Sequence, residues 1–304
     1  MTQPTLGQLS QSELRTRLAH GLVLQTGPFR TQIVSHSLPV LRGLATLYAD
    51  HELSPDGVID FCVRVDRVGG LRAVWRPQIL FQSDKQIPFK PLPADHAFAS
   101  LEWGLNWCIA VHAHHYLLLH AAVLEKNGRA VILPGDPGAG KSTLTAALSL
   151  SGFRLLSDEM GMIDRDDGLL VPLARPVNLK NASIDIVRAF APQAVFGDTV
   201  RDTHKGTVAH LKPSTESVHR ATEKARPAFL VFPRWKAGAS TQLKPRARAD
   251  AFMEVTNHSF NYQLLGGLGF NLTAALVGAC DCYDFVYSDL PEAVSAFDEL
   301  LASA

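Results

Sequence analysis

The sequence predicts an α/β protein built on a mixed sheet, and three observations carry that prediction. First, residues 130–133 (Ala-Val-Ile-Leu) form a short apolar run of strand type that leads into Gly135-Asp136-Pro137-Gly138-Ala139-Gly140-Lys141-Ser142, and Leu144 and Leu148 then stand four apart, as on one helix face. Second, Asn127-Gly128 lies between two apolar runs, 117–125 and 129–134, which is a strong hairpin signal. The strand entering the glycine loop therefore has an antiparallel neighbour. Third, the helix ends at Gly152, and a short strand-like run follows it and closes on Asp158-Glu159.

The remaining elements follow in order. Residues 12–20 have the pattern of a short helix. Residues 21–35 alternate as strand, broken at Gly27-Pro28, and Leu38, Leu41, Leu44 and Leu47 have helical spacing. Residues 58–65 and 70–81 read as paired strands around Gly69-Gly70. Pro88, Pro91 and Pro93 mark a linker-like stretch, so a boundary is expected near residue 95, between an N-terminal α+β region (1–95) and a larger domain (96–304). Residues 98–118 read as a buried helix. A strand is expected to end at Phe232-Pro233-Arg234-Trp235, and residues 289–301 close the chain as a helix with Pro291 in its first turn.

Composition narrows the function classes. The 304 residues hold 29 Lys+Arg against 29 Asp+Glu, so no electrostatic footprint points to nucleic acid or to an anionic membrane. No basic segment followed by an apolar stretch opens the chain, and no apolar run is long enough for a membrane span. The four cysteines, Cys62, Cys108, Cys280 and Cys282, lack the spacing of a zinc site and read as reduced thiols of a cytoplasmic protein.

Gly135 to Ser142 fits the phosphate-loop pattern at every fixed position. Its glycines let the backbone turn N–H groups toward an anion, and the helix N-terminus adds partial positive charge. Lys141 has the reach for the β- and γ-phosphates of ATP, Ser142 can ligate Mg²⁺, and Thr143 completes the cradle. Asp158 and Glu159 add carboxylates one helix later, one suited to Mg²⁺ and one to the proton of an attacking hydroxyl. Neighbours on a regular strand face opposite ways, so both reach one site only if the strand end is irregular.

The run from His120-Ala-Ala-Val-Leu through the phosphate loop to Gly152-Phe-Arg-Leu-Leu-Ser-Asp158-Glu159 resembles the catalytic core of HPr kinase/phosphorylase and, more closely, the HPr-kinase-related proteins. The resemblance covers about residues 115–180. It implies a core like that of phosphoenolpyruvate carboxykinase and an ATP- and Mg²⁺-dependent kinase acting on a hydroxyl. It makes Asp158 the base on the acceptor serine, has Glu159 assist Ser142 with Mg²⁺, and makes His120 the strand histidine supporting Asp158. The glycine-rich segment tied to the phosphorylase reaction has no clear counterpart, and the N-terminal region does not match, so reverse phosphorolysis and action on HPr itself are not implied. Related kinases without those parts include enzymes that phosphorylate serine in precursor peptides. The expected partner is thus a peptide or protein with a serine hydroxyl. A small-molecule alcohol, or a nucleotide-responsive protein without transfer, stands as the alternative, and a homo-oligomer stays open.

Weaker candidates complete the reading. Arg175 or Lys180 can neutralise charge on a transferring phosphoryl group, or simply lie at the surface. Residues 204–213 read as a mobile basic loop, and Arg234-Trp235 as either an adenine-stacking or a packing pair. His112, His114 and His115 read as surface residues. Gly266-Gly267-Leu268-Gly269 is too short for a dinucleotide fingerprint.

Overall fold

The computed structural model describes residues 4–54, 56–69 and 75–302. Their strands, numbered in chain order, form sheets of five, eight and three members. The first sheet holds β1 (Leu22–Thr26), β2 (Phe29–Val34), β3 (Phe61–Arg67), β4 (Gln78–Ser83) and β5 (Leu92–Pro93), paired in that order. Side chains of β1 and β2 alternate between buried and half-buried, as period-two strands on a core must. A helix, Gln11–His20, starts on a Ser10/Glu13 capping box, and a second, Leu38–Leu47, makes the crossover between the parallel pair β2 and β3. The expected Gly69-Gly70 turn and the start of the following strand fall partly outside the described residues. The proline-rich stretch supplies β5, an edge strand, where a missing N–H is harmless.

A helix at Ala97–His112 packs on this sheet, and one apolar core runs from Leu6, Leu44 and Phe81 through Leu101 and Cys108 to Leu118 and Met160. The expected helix over 98–118 is thus shorter, because Tyr116 onward is strand. Continuous apolar runs do not reveal by periodicity where a buried helix gives way to a buried strand.

That strand, β6 (Tyr116–Lys126), is central to the large sheet. It turns at Asn127 and Gly128, both at positive φ (56° and 77°), and returns as β7 (Arg129–Pro134). The expected Asn-Gly hairpin is therefore present. β8 (Arg154–Ser157) and β9 (Met160–Asp164) both pair antiparallel with β6, and β10 (Leu170–Val171) pairs with β9. On the other side of β7, β14 (Arg226–Trp235) and β16 (Asp281–Tyr287) run parallel to it, and β15 (Gln242–Pro245) closes the edge antiparallel. The sheet is mixed, as the sequence predicts. Helices Lys141–Leu150 and Leu290–Ala302 cover one face, and Arg248–Asn257 and Gly267–Ala279 cover the other. The small antiparallel sheet joins β11 (Val177–Lys180), β12 (Val200–Thr203) and β13 (Gly206–Leu211). Among the described residues, no helix is long and apolar enough to cross a membrane, all four cysteines are free, and no cluster of His, Cys, Asp and Glu is built to hold a metal.

Candidate active site

The glycine loop leaves the end of β7 and enters the helix at Lys141. Gly138 and Gly140 sit at φ +92° and +90°, which a side chain would strain. Two bonds from neighbouring strands fix the loop. The backbone N–H of Trp235 donates to the Ala139 carbonyl at 2.9 Å, and the Tyr287 hydroxyl donates to the Gly140 carbonyl at 2.9 Å. Lys141 is buried, and its Nζ donates through long bonds to the carbonyls of His120 (3.4 Å) and Gly135 (3.5 Å). Burial lowers its pKa, against the pull of Asp158 and Glu159.

The acids occupy a break in the strand. β8 and β9 pair with different stretches of β6, the register slips by one residue between Val123 and Leu124, and Asp158 and Glu159 form a bend between them. This is the irregularity that the sequence argument required. The two side chains nevertheless go to different neighbours. Asp158 accepts from the Asn178 N–H at 3.0 Å and lies near enough to Ser142 for the hydroxyl to pull its pKa down. Burial first, and the Glu159 charge second, push its pKa up to about 6. Glu159 accepts from Asn106 Nδ2 at 2.9 Å and lies 3.9 Å from His120 Nε2. Burial alone would raise its pKa. Lys205, Lys180, His120 and Lys141 outweigh that and hold it below the usual glutamate range. Two adjacent carboxyls are thus driven apart in acidity by their surroundings.

Three expectations change here. His120 faces Glu159, not Asp158, because its strand position meets the bend from the Glu159 side. Burial and the Lys141 charge depress its pKa to about 4, so it is a neutral imidazole at pH 7. The acid beside Ser142 is Asp158 and not Glu159. Arg175 is also not free to meet a phosphoryl group. Its guanidinium is buried and fully engaged, with Nη2 on Glu102 Oε2 at 2.7 Å, Nη1 on Asn106 Oδ1 at 2.8 Å and Nε on the Tyr48 hydroxyl at 3.3 Å. It holds Asn106, which in turn holds Glu159, so it is a positioning residue.

The basic segment expected as a mobile loop is instead the turn that follows β12 and, for the most part, strand β13. Its turn is tied by Thr203 Oγ1 to the Gly206 carbonyl at 2.6 Å and by the Lys205 N–H to Thr203 Oγ1 at 3.0 Å. Lys205 lies over the Trp103 ring, 5.2 Å from its centroid, within the field of Glu159. Glu102, Trp103 and Asn106 were missed in the sequence, although Glu102 and Asn106 stand four apart on an otherwise apolar helix. That spacing marks a buried polar stripe in need of partners.

A cavity of about 20 Å³, roomy enough for a water molecule, is bordered by Trp103, Asn106, Asp158, Glu159, Asn178 and His210. Asp158 Oδ1, Asn178 Oδ1, His210 Nε2 and Trp103 Nε1 have no hydrogen-bond partner in the structure. An unmatched carboxylate oxygen next to a loop serine suits a hard cation such as Mg²⁺, which takes one or two carboxylates and leaves its other positions to water and phosphate. Ser142 and Asp158 therefore fit Mg²⁺, and the loop amides with Lys141 fit a polyphosphate. No family model matches the chain, and no curated protein matches it.

Proposed function

We propose that the chain is an ATP-dependent phosphotransferase with a core like that of HPr kinase, moving the γ-phosphoryl group to a hydroxyl, with a serine of a peptide or protein as the leading acceptor. One observation carries the reading. Lys141, the Ser142–Asp158 pair and Glu159 converge at the mouth of a single glycine loop. The antiparallel hairpin before the loop and the acids one helix after it support that particular core over an all-parallel one.

The geometry divides the labour. Loop amides and Lys141 hold the phosphates. Ser142 and Asp158 would hold Mg²⁺, which when bound offsets charge on the phosphoryl oxygens. Asp158 is enclosed, whereas Glu159 keeps 26% of its side chain exposed beside His120. Glu159 is thus the acid that an acceptor hydroxyl can reach. It orients that hydroxyl and takes its proton as the bond to phosphorus forms, a role suited to a loose transition state. Neutral His120 orients Glu159 without competing for its charge. Lys180 and Lys205 are placed to offset negative charge that gathers around the transferring group.

The test is incubation of the protein with γ-labelled MgATP and serine-containing peptides or small alcohols. Wild type should transfer label, Lys141→Ala should neither bind nor transfer, and Glu159→Gln should bind without transfer. Binding of MgATP with no transfer to any hydroxyl acceptor would leave a nucleotide-responsive protein and defeat the enzyme reading.

A further inference from the structure

The glycine loop has two flanks, and the acids occupy only one. On the sheet, β7 lies between β6 on one side and β14 on the other. Asp158, Glu159 and His120 belong to β6 and its antiparallel partners. A nucleoside triphosphate whose reacting phosphate meets those groups must run its other end toward the C-terminal ends of β14 and β16, the region where parallel strands present ligands.

Those strands end in Trp235 and Tyr287, which are neighbours in register. Trp235 is locked in place yet half-exposed. Its N–H bonds the loop at Ala139, and its indole Nε1 donates to the Ser288 carbonyl at 3.2 Å. A Cβ on Gly140 would lie 2.8 Å from the Trp235 Cβ, so the indole springs from the base of the loop itself. Even so, the residue is 49% exposed, and among the described residues no aromatic ring or cation stacks on it. Trp103 and Trp107, by contrast, each pack against another ring. A large aromatic with its edge and backbone tethered and much of its surface free of other rings and cations is suited to bind a flat heterocycle.

We propose that Trp235 is the stacking platform for the nucleobase of the bound nucleotide. This inference rests on the phosphotransferase reading for the presence of a nucleotide, and it adds the residue that recognises the base. Stacking of this kind is sequence-tolerant, so purine nucleotides with the largest ring faces are the expected ligands.

Calorimetric titration of Mg-ATP and of Mg-tripolyphosphate, which lacks a base, separates the two ideas. In Trp235→Ala, ATP affinity should fall roughly 5- to 150-fold, the range of one lost stack, while tripolyphosphate affinity stays within about twofold. Trp235→Phe should keep most of the ATP affinity. It should also abolish the quenching of tryptophan emission that ATP, but not tripolyphosphate, produces in wild type. That second variant decides the matter if the alanine variant does not fold. Equal weakening of both ligands, unchanged ATP affinity, or quenching that survives in Trp235→Phe overturns the platform. Failure of wild type to bind either ligand overturns the reading of the loop instead.

Discussion

Replacing Asp158 with asparagine should make the ligand-free protein more stable at neutral pH, although it removes the acid proposed to hold Mg²⁺. The carboxyl is buried, and burial with the neighbouring Glu159 charge raises its pKa from 3.8 to about 6. That displacement corresponds to roughly 3 kcal/mol. The sign is set by linkage: the folded protein holds the proton more tightly than the unfolded chain. The favourable contribution is therefore complete below pH 4, declines from there to pH 6, and is gone above it. Asparagine carries no charge to bury and can still accept from the Asn178 N–H through its carbonyl oxygen. Its amide nitrogen lands where Asp158 Oδ1 has no partner, at a cost of about 1 kcal/mol. The variant should thus lead wild type by about 2 kcal/mol at pH 7.5 and lose that lead by pH 4. Urea denaturation at half-unit steps from pH 4 to 8, without Mg²⁺ or nucleotide, reads the difference directly. Adding Mg²⁺ with ADP should reverse the order, since only wild type gains a cation ligand. A variant less stable at pH 7.5, or a gap that does not change with pH, would refute the argument that Asp158 is a strained buried acid.

Other expectations are simpler. Glu159→Gln should leave MgATP affinity within about threefold while kcat falls roughly 10²- to 10⁴-fold, measured by label transfer. Gly140→Ala places a methyl 2.5 Å from the Tyr287 hydroxyl at φ +90°, so nucleotide binding should vanish in calorimetry while circular dichroism stays native. Arg175→Met should destabilise the fold by about 3–5 kcal/mol, because it leaves Glu102 charged and buried. Adding Glu102→Gln to that variant should restore part of the loss in thermal unfolding. His120→Gln, which keeps a neutral polar group, should retain more activity than His120→Lys, which brings a second cation beside Lys141.

The parts of the fold that were legible in the sequence are those fixed within a few residues. Asn127-Gly128 announces a hairpin because both residues must take positive φ, and the glycine loop announces itself because only glycine serves at positions 138 and 140. The orientation of the acids was not legible. It depends on a one-residue slip between β6 and β8, a property of two strands about thirty residues apart. Arg175 misled for a related reason. A sequence displays a charge but not whether that charge is already paired, and its partners Tyr48 and Glu102 lie far back along the chain. Arg234-Trp235 left stacking and packing both open, because a sequence does not display which strands flank the loop or how exposed their ends are.

The chain of contacts from Tyr48 through Glu102 and Arg175 to Asn106 bears on how this protein can be re-engineered. Tyr48 donates its hydroxyl to Glu102 at 2.6 Å, so the first fifty residues contribute one end of the scaffold that holds Glu159. The half that carries the loop cannot be excised on its own, nor joined to a foreign N-terminal segment, without leaving Glu102 short of a donor. A chimera would inherit the acids yet aim them poorly. Any transplant of this chemistry must carry that tyrosine, or an equivalent hydroxyl, along with it.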